Sequence, residues 1–119
     1  MAVSTCVLFT VLVVCVRGQL EWERLHDGAG IAPSARVSMG FGYDLASNKI
    51  IVFGGGPGPM NDTWIYDVTS GIWKEVVVTN GPEARFSMVS GFSNGNFYIS
   101  TGEGANKVFF NDIWRFDIL

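Results

Sequence analysis

The sequence predicts an all-β fold built from repeated units of four short antiparallel strands. Three observations lead to this prediction: a motif that recurs 50 residues later, no helical periodicity, and Gly, Pro and Asn at short intervals between apolar segments. The motif, Asn-Asp-x-Trp-x-aromatic-Asp, occupies residues 61–67 and 111–117. In a chain of 119 residues, a repeat of this length is typical of architectures in which each unit is one group of strands.

The first unit contains four candidate strands, separated by turns rich in Gly, Ser and Asn. They are residues 36–43, 49–53, 62–68 and 72–78. The second of them is short, β-branched and apolar throughout, which is typical of a strand buried on both faces. Four strands in roughly 50 residues are the sequence signature of a β-propeller blade. We therefore predict a complete blade over residues 34–78.

The same pattern starts again at Pro82 and predicts a partial blade of three strands over residues 83–119. Pro82-Glu83-Ala84-Arg85 repeats Pro33-Ser34-Ala35-Arg36 at an offset of 49 residues. The offset changes slightly along the repeat because turns tolerate insertions at little cost. Two further pairs are aligned at an offset of 48, namely Ile51 with Ile99 and Gly54 with Gly102.

A further strand is predicted before the first blade. Residues 20–25 alternate apolar and charged side chains, which indicates a strand with one buried face. Trp22 precedes Trp73 by 51 residues, so this segment is an orphan fourth strand. The counterpart of Trp73 in the second blade falls beyond Leu119. Because propellers close with about 4–8 blades, we expect an incomplete propeller, the N-terminal piece of a longer protein.

These repeats resemble the kelch family, which belongs to the propeller group that includes the galactose oxidase type. The residues that carry the resemblance are Phe53-Gly54-Gly55, Trp64-Ile65-Tyr66-Asp67 and Trp73, and it covers residues 20–119. The second copy departs from the pattern, because Thr101-Gly102-Glu103-Gly104 breaks the double glycine. The repeat residues that the resemblance implies are Gly54, Gly55, Trp64, Tyr66, Asp67, Trp73, Trp114, Phe116 and Asp117.

Physical roles for these residues follow from their positions. Gly54 and Gly55 suit a sharp exit from a strand, because glycine reaches positive φ without a Cβ penalty. Asp62 and Asp112 are expected to accept backbone N–H bonds where the third strand begins. The aromatic rings of the motif lie on one face of the strand by alternation, so we expect them to fill the space between neighbouring blades.

The N-terminal segment has the composition of a secretory signal peptide. Residues 2–16 carry no charge, and a run of about 15 apolar residues is short for a membrane span. We place the cleavage after Gly18, which leaves a kelch-repeat region at 19–119 with no cysteine, since Cys6 and Cys15 are removed. A secreted or luminal glycoprotein with no membrane span follows. The alternatives are a buried strand or an anchor that stays uncleaved, because no Lys or Arg precedes the apolar run.

Charge and composition argue against several classes of function. The net charge is −3 and no basic stripe is present, which disfavours a nucleic-acid partner. His26 is the only histidine, so residues 19–119 offer no set of His and Cys ligands for a metal, and we expect no cofactor and no catalytic residue. The alternative is the N-terminal part of a secreted propeller oxidase whose metal ligands lie further along the chain.

The loops between second and third strands lie on the same face as those between fourth and first strands, and this face, which carries residues 26–35, 54–61, 79–84 and 102–111, is the natural binding edge because its connections are the longest and most variable. Phe110 aligns with Met60 and is expected to be a structural plug, whereas Lys107 and Phe109 are candidate contacts. Asn61 begins a glycosylation sequon, Asn-Asp-Thr, that its counterpart Asn111 lacks. The favoured function is a non-catalytic module that binds a protein or glycan partner. A non-functional truncation is the remaining alternative.

Overall fold

The computed structural model describes residues 4–9, 12–17 and 20–118, and these residues contain strands and one short 3-10 turn but no α-helix. The 3-10 turn is Ala105–Lys107. The strands are β1 (Ser4–Phe9), β2 (Leu12–Arg17), β3 (Gly40–Asp44), β4 (Lys49–Gly55), β5 (Met60–Asp67), β6 (Ile72–Val76), β7 (Val89–Ser93), β8 (Asn96–Ser100) and β9 (Ile113–Asp117).

Two antiparallel sheets confirm the predicted blades. The first blade is a four-stranded meander in the order β3-β4-β5-β6, and the second is a three-stranded meander in the order β7-β8-β9. β4 is the most buried strand of the first blade, because it pairs with a strand on each side and its residues 51–55 are all buried. The two sheets do not close into a ring, so the fold class is an all-β, incomplete kelch-like propeller.

The blades pack face to face, and the core lies between them. The first blade contributes Ile51 and Phe53, which point to the same side of β4. The second blade contributes Phe97 and Ile99 of β8, with Trp114 and Phe116 of β9 packed against them. Gly40 and Gly42 let β3 approach this layer closely, since a Cβ at Gly42 would lie 2.8 Å from a ring atom of Phe97.

The innermost strands of the two blades are joined directly. The Ser90 hydroxyl accepts a hydrogen bond from the backbone N–H of Phe41 at 3.0 Å and donates one to its carbonyl oxygen at 3.1 Å. The Ser87 N–H also donates to the Ser38 carbonyl at 2.8 Å. Because these bonds are repeated between equivalent strands, the second blade is fixed in register against the first.

The predicted offset of 48 residues in the inner strands is wrong by one residue. β3 turns into β4 through residues 45–48, whereas β7 turns into β8 through only Asn94-Gly95. The offset therefore falls from 49 in the first strand to 47 in the second. A slip of one residue places a side chain on the opposite face of a sheet, and Ile99 is the counterpart of Val52 rather than Ile51.

The same correction places Thr101, not Gly102, at the position of Gly54. Gly54 and Gly55 have φ of 61° and 108°, and Thr101 and Gly102 have φ of 64° and 102°. The second copy therefore keeps the backbone path of the double glycine with a β-branched residue in the left-handed region, where such residues are strained. The departure from the pattern is a change of side chain, and the turn itself is retained.

The predicted strand at residues 20–25 does not form. These residues have no β-pairing in the described structure, and Leu20 and Trp22 are fully exposed. A strand needs a partner whose backbone groups take up its N–H and C=O groups, and no described strand lies beside this segment. Leu25 alone is anchored, because its carbonyl accepts a hydrogen bond from the Tyr66 hydroxyl at 3.1 Å.

In the N-terminal segment, β1 pairs with β2 in antiparallel orientation, and Cys6 lies opposite Cys15. The predicted signal peptide at 1–18 lies partly outside the described residues, so cleavage after Gly18 stays a prediction. Within the described part of the chain, no helix has the length and apolar character needed to cross a membrane.

Candidate binding surface

Three loops meet at one edge of the two blades and support one another through backbone hydrogen bonds. The Gly55 N–H donates to the Arg85 carbonyl at 2.9 Å, and the Arg85 N–H donates to the Met60 carbonyl at 3.0 Å. Phe86 and Glu103 exchange two further bonds, at 3.0 and 2.9 Å. Arg85 and Phe86, which lead into the second blade, therefore lie between the loop after β4 and the loop after β8 and are hydrogen-bonded to both.

Each blade carries a partly buried Arg-Asp-Trp cluster beneath this edge. In the second blade, the Arg85 guanidinium donates to both carboxylate oxygens of Asp112, at 2.5 and 3.0 Å, and to the Thr101 carbonyl at 3.1 Å. The Trp114 Nε1–H donates to the same carboxylate at 2.7 Å. Two parallel bonds from a planar guanidinium fix the geometry as well as the charge. Arg85 is 0% exposed.

The first blade repeats the cluster with the same partners. The Arg36 guanidinium donates to Asp62 at 2.6 and 2.8 Å and to the Gly54 carbonyl at 3.0 Å, and the Trp64 Nε1–H donates to Asp62 at 2.7 Å. Each Arg thus ties the start of its blade to the exit of the second strand and to the third strand. The arrangement holds three separate chain segments together in each blade.

This geometry corrects the predicted role of the two aspartates. Asp62 and Asp112 were expected to accept backbone N–H bonds, but their principal donors are the side chains of an Arg and a Trp. The prediction missed Arg36 and Arg85, although both recur in the aligned Pro-x-Ala-Arg segments. An Arg that repeats in step with an Asp is the signal that points to the pair.

The arginines lower the pKa of both aspartates. In Asp112 the hydrogen bond from Arg85 is the main cause, and the pKa falls from 3.8 to about 2. In Asp62 burial alone raises the pKa, but the hydrogen bonds from Arg36 and Trp64 together outweigh burial and hold the pKa below its usual value. Both carboxylates are therefore charged at any physiological pH.

We expect the folded state to lose stability when the pH falls from about 3.8 towards about 2. A carboxylate whose pKa is lower in the folded than in the unfolded state stabilises the fold above the unfolded pKa, and this contribution disappears as the folded state takes up the proton. Carboxyl-carbon NMR should show Asp112 titrating near pH 2, with the denaturant midpoint falling over the same range. Titration of Asp112 near pH 4 would contradict the assignment.

The loop between β8 and β9 is anchored from below by Phe110. The Arg85 guanidinium carbon lies 3.9 Å from the centroid of the Phe110 ring, a cation–π contact. Gly104 leaves room for this ring, since a Cβ there would lie 2.8 Å from it. Phe110 thus occupies the structural position expected for it, and the rest of the loop is built on it.

Above this anchor, Lys107, Val108 and Phe109 form an exposed tip that we call the loop tip. The Gly104 N–H donates to the Val108 carbonyl at 2.8 Å, and the Val108 N–H donates to the Ala105 carbonyl at 3.2 Å, which closes a tight turn. Lys107 has a positive φ of 57°. Phe109 is 74% exposed and Val108 is 52% exposed. The side chains of Val108 and Phe109 therefore project into solvent beside Lys107, from a turn whose backbone is fixed by hydrogen bonds.

Asn61 lies at the exposed start of β5, beside the loops of this edge. Its neighbours in the sequon behave differently, because Asp62 is held by Arg36 and the Thr63 side chain is buried. The acceptor position faces solvent while the rest of the sequon is part of the blade.

The other repeat residues lie in the blade interior or at strand ends. Tyr66 is buried, and Trp73 packs on it with ring centroids 5.0 Å apart and on Trp64 at 6.5 Å. The Asp67 carboxylate accepts backbone N–H bonds from Thr69 at 2.9 Å and Ser70 at 3.0 Å, and these bonds, led by the one from Ser70, lower its pKa. Asp117 ends β9 at the equivalent place.

His26 is placed against the first blade. Its ring meets Tyr66 edge-on, with centroids 6.1 Å apart, and its Nδ1 accepts the Gly28 N–H at 2.9 Å. Over residues 20–118, no three side chains of His, Asp or Glu come together in a way that would hold a metal ion.

Comparison with known proteins places the chain in a family. A family model described as the KLHDC2/KLHL20/DRC7 Kelch-repeats domain matches residues 5–119. A search of curated proteins returned no match.

Proposed function

Because the chain belongs to the kelch-repeat family, we propose that it is a non-catalytic protein-interaction module whose partner contacts the loop tip. Kelch domains typically bind proteins. The single observation that supports this surface is the exposure of Phe109 and Val108 on a loop whose base is fixed by Phe110 and Arg85. An apolar side chain held in place loses little conformational entropy on binding.

The chemistry of the loop tip favours a protein partner with an apolar pocket and a nearby carboxylate. An aromatic side chain that enters a pocket gives the largest single contributions to protein interfaces. Lys107 adds a cation at the rim, where charge mainly affects the rate of association and the choice of partner. The side chains at this surface are suited to contact and contain no acid–base pair.

We expect Phe109→Ala to weaken binding of the partner by about 30-fold or more, because loss of a central aromatic costs about 2 kcal/mol or more. The partner is first identified with a photo-crosslinking phenylalanine analogue at position 109, and the purified pair is then measured by calorimetry. The same analogue at position 45, on an exposed turn far from the loop tip, is the control for non-specific capture.

A charge variant at the loop tip shows whether the loss of binding comes from a lost contact with the partner or from unfolding of the chain. Lys107→Glu is expected to slow association with little effect on dissociation, and both variants should unfold at the denaturant concentration of the parent chain. If Phe109→Ala binds the crosslinked partner as tightly as the parent chain, the loop tip is not the binding surface.

We further propose that the module works in the secretory pathway or outside the cell. The support is the uncharged N-terminal run of residues 2–16 and the exposed acceptor of the sequon at Asn61. In this environment a glycan on Asn61 would stand beside the binding edge and limit which partners can approach.

Expression from secretory cells is expected to give a product that begins at Gln19 and carries a glycan on Asn61. Removal of the glycan by an amide-cleaving glycosidase should increase electrophoretic mobility, and Asn61→Gln should abolish that change. Asn111→Gln is the matched control, because it lies at the equivalent position without a sequon. A product that keeps residues 1–18, or one retained in the cytosol, would contradict this proposal.

A further inference from the structure

Two Asn-Gly pairs lie in connections between strands. Asn80-Gly81 follows β6 on the way to the second blade, and Asn94-Gly95 joins β7 to β8. An asparagine that precedes glycine is chemically labile, because no side chain on the next residue keeps its backbone nitrogen away from the asparagine amide. Every other asparagine of the chain precedes a residue with a side chain. These two pairs are therefore the candidates for loss of the amide.

The reaction, deamidation, needs only the chain and water. The glycine nitrogen attacks the Cγ of the asparagine side chain and gives up its proton to the solvent, and the side-chain nitrogen leaves as ammonia. The new C–N bond closes a cyclic succinimide. Water then opens the ring at either carbonyl, which gives aspartate or isoaspartate, and isoaspartate adds a CH2 group to the main chain. Because the glycine nitrogen must reach Cγ, the local structure sets the rate.

The fold holds Asn94-Gly95 in one conformation. The two residues have φ of 49° and 77°, the left-handed values of a two-residue hairpin turn, and Ser93 and Asn96 pair on either side of them. The Asn96 side-chain amide donates to the Asn94 carbonyl at 3.1 Å, and the Ile118 N–H donates to the Gly95 carbonyl at 3.2 Å. Attack on the Asn94 side chain therefore requires local opening of this hairpin.

Asn80-Gly81 lies in a connection without such restraints. Asn80 is exposed, β6 ends at Val76, and the next main-chain hydrogen bond along the chain runs from the Arg85 N–H to the Met60 carbonyl. Among the residues that the structure describes, those from 78 to 82 take part in no hydrogen bond, either through the main chain or through side chains. The Asn80-Gly81 dipeptide can therefore rotate into the geometry of the attack without breaking one.

We propose that Asn80 is a site of spontaneous deamidation in the folded protein, and that the hairpin between β7 and β8 protects Asn94. The reaction replaces a neutral amide by a carboxylate and so adds one negative charge to a chain whose net charge is −3. Older molecules carry the carboxylate and newly made molecules carry the amide.

The modified chain keeps its fold. An additional CH2 group between β6 and Arg85 separates no paired groups, because residues 78–82 have no hydrogen bond to lose. The blades are joined at other places, by the Ser90 hydroxyl on Phe41 and by the Gly55 N–H on the Arg85 carbonyl. Deamidation at Asn80 therefore changes the surface and leaves the core as it is.

The new charge arises on the binding edge. Residues 79–84 form one of the connections of that edge, and charge at the rim of an interface mainly affects the rate of association and the choice of partner. The site itself follows from the geometry of this connection alone, so it does not depend on the function proposed for the loop tip.

Peptide mapping by mass spectrometry of the purified full chain, sampled during incubation at mildly alkaline pH, tests the proposal. We expect position 80 to gain the mass difference between an amide and an acid, with aspartate and isoaspartate as two separately eluting products. Position 94 should react about tenfold more slowly or less, because an opening step that costs about 1.4 kcal/mol already lowers a rate tenfold. The denaturant midpoint of the modified chain should equal that of the fresh chain.

Unfolding provides the control for the role of the structure. In guanidinium chloride both pairs are released from the fold, so their rates should become similar. Gly81→Ala is the matched variant, because the added Cβ meets only the Val78 side chain, at 3.2 Å. It should prevent the change at position 80 and leave the rate at Asn94 as it was. Equal rates at the two positions in the folded chain, an unmodified Asn80, or an equally large difference in denaturant would each overturn the proposal.

Discussion

Replacing Asp112 by alanine is expected to lower the free energy of unfolding by about 3 kcal/mol, because it leaves the Arg85 guanidinium buried without its counterion. Arg85 is 0% exposed, whereas the Asp112 side chain is 40% exposed. The Asp112 carboxylate therefore stays partly hydrated, whereas the Arg85 guanidinium has no contact with water and depends on its protein partners. Urea denaturation followed by tryptophan fluorescence measures the change.

Two controls separate this effect from a general loss of charge. Glu75→Ala removes an exposed carboxylate of the same sign and should change stability by no more than about 0.5 kcal/mol. The double variant Arg85→Met with Asp112→Leu should recover part of the loss, since well-packed apolar residues replace both charges. A change for Asp112→Ala as small as that for Glu75→Ala would show that the pair does not stabilise the blade.

Replacing Gly54 by alanine is expected to cost about 3 kcal/mol. An L-residue at φ 61° carries a penalty of roughly 1–2 kcal/mol. In addition, the new Cβ would lie 2.6 Å from the Arg85 carbonyl oxygen and 2.9 Å from that of Met60. Both neighbours are backbone atoms in a hydrogen-bonded wedge, so they cannot move aside without breaking the contact between the blades. Denaturant unfolding measures the loss.

Thr101→Gly is the matched reverse experiment at the equivalent position. Relief of the strain at φ 64° is expected to raise stability by about 0.5–1 kcal/mol, once the greater freedom of glycine in the unfolded chain is deducted. A stabilising Gly54→Ala, or a destabilising Thr101→Gly, would refute the equivalence of these two positions.

The recurrence of Trp64 at Trp114 made the blades predictable from the sequence, because a motif at fixed spacing reports the repeat directly. The inner strands were harder to place. Ile51 and Ile99 are both buried and apolar because they face each other across the same core, and this made them look equivalent. The sequence signal that corrects this one-residue error in the alignment is Asn94-Gly95, because this dipeptide is a strong marker of a two-residue hairpin.

The binding edge was only partly predictable. Its loops could be assigned from strand alternation, and Phe110 from its alignment with Met60. The Arg85 pair depends on a contact across 27 residues, which no local pattern specifies. The position of residues 20–25 could not be predicted at all, because a strand exists only where another strand pairs with it.

The hairpin turns at the end of the blades opposite the loop tip differ in length, and this difference has a practical consequence. Residues 45–48 connect the same two strands that Asn94-Gly95 connect in the second blade, and the ladders on either side keep their register. Chain length at this tip is therefore independent of the blade that it joins. Leu45 marks a permissive insertion point, where a peptide label can be carried on the side of the molecule opposite the loop tip.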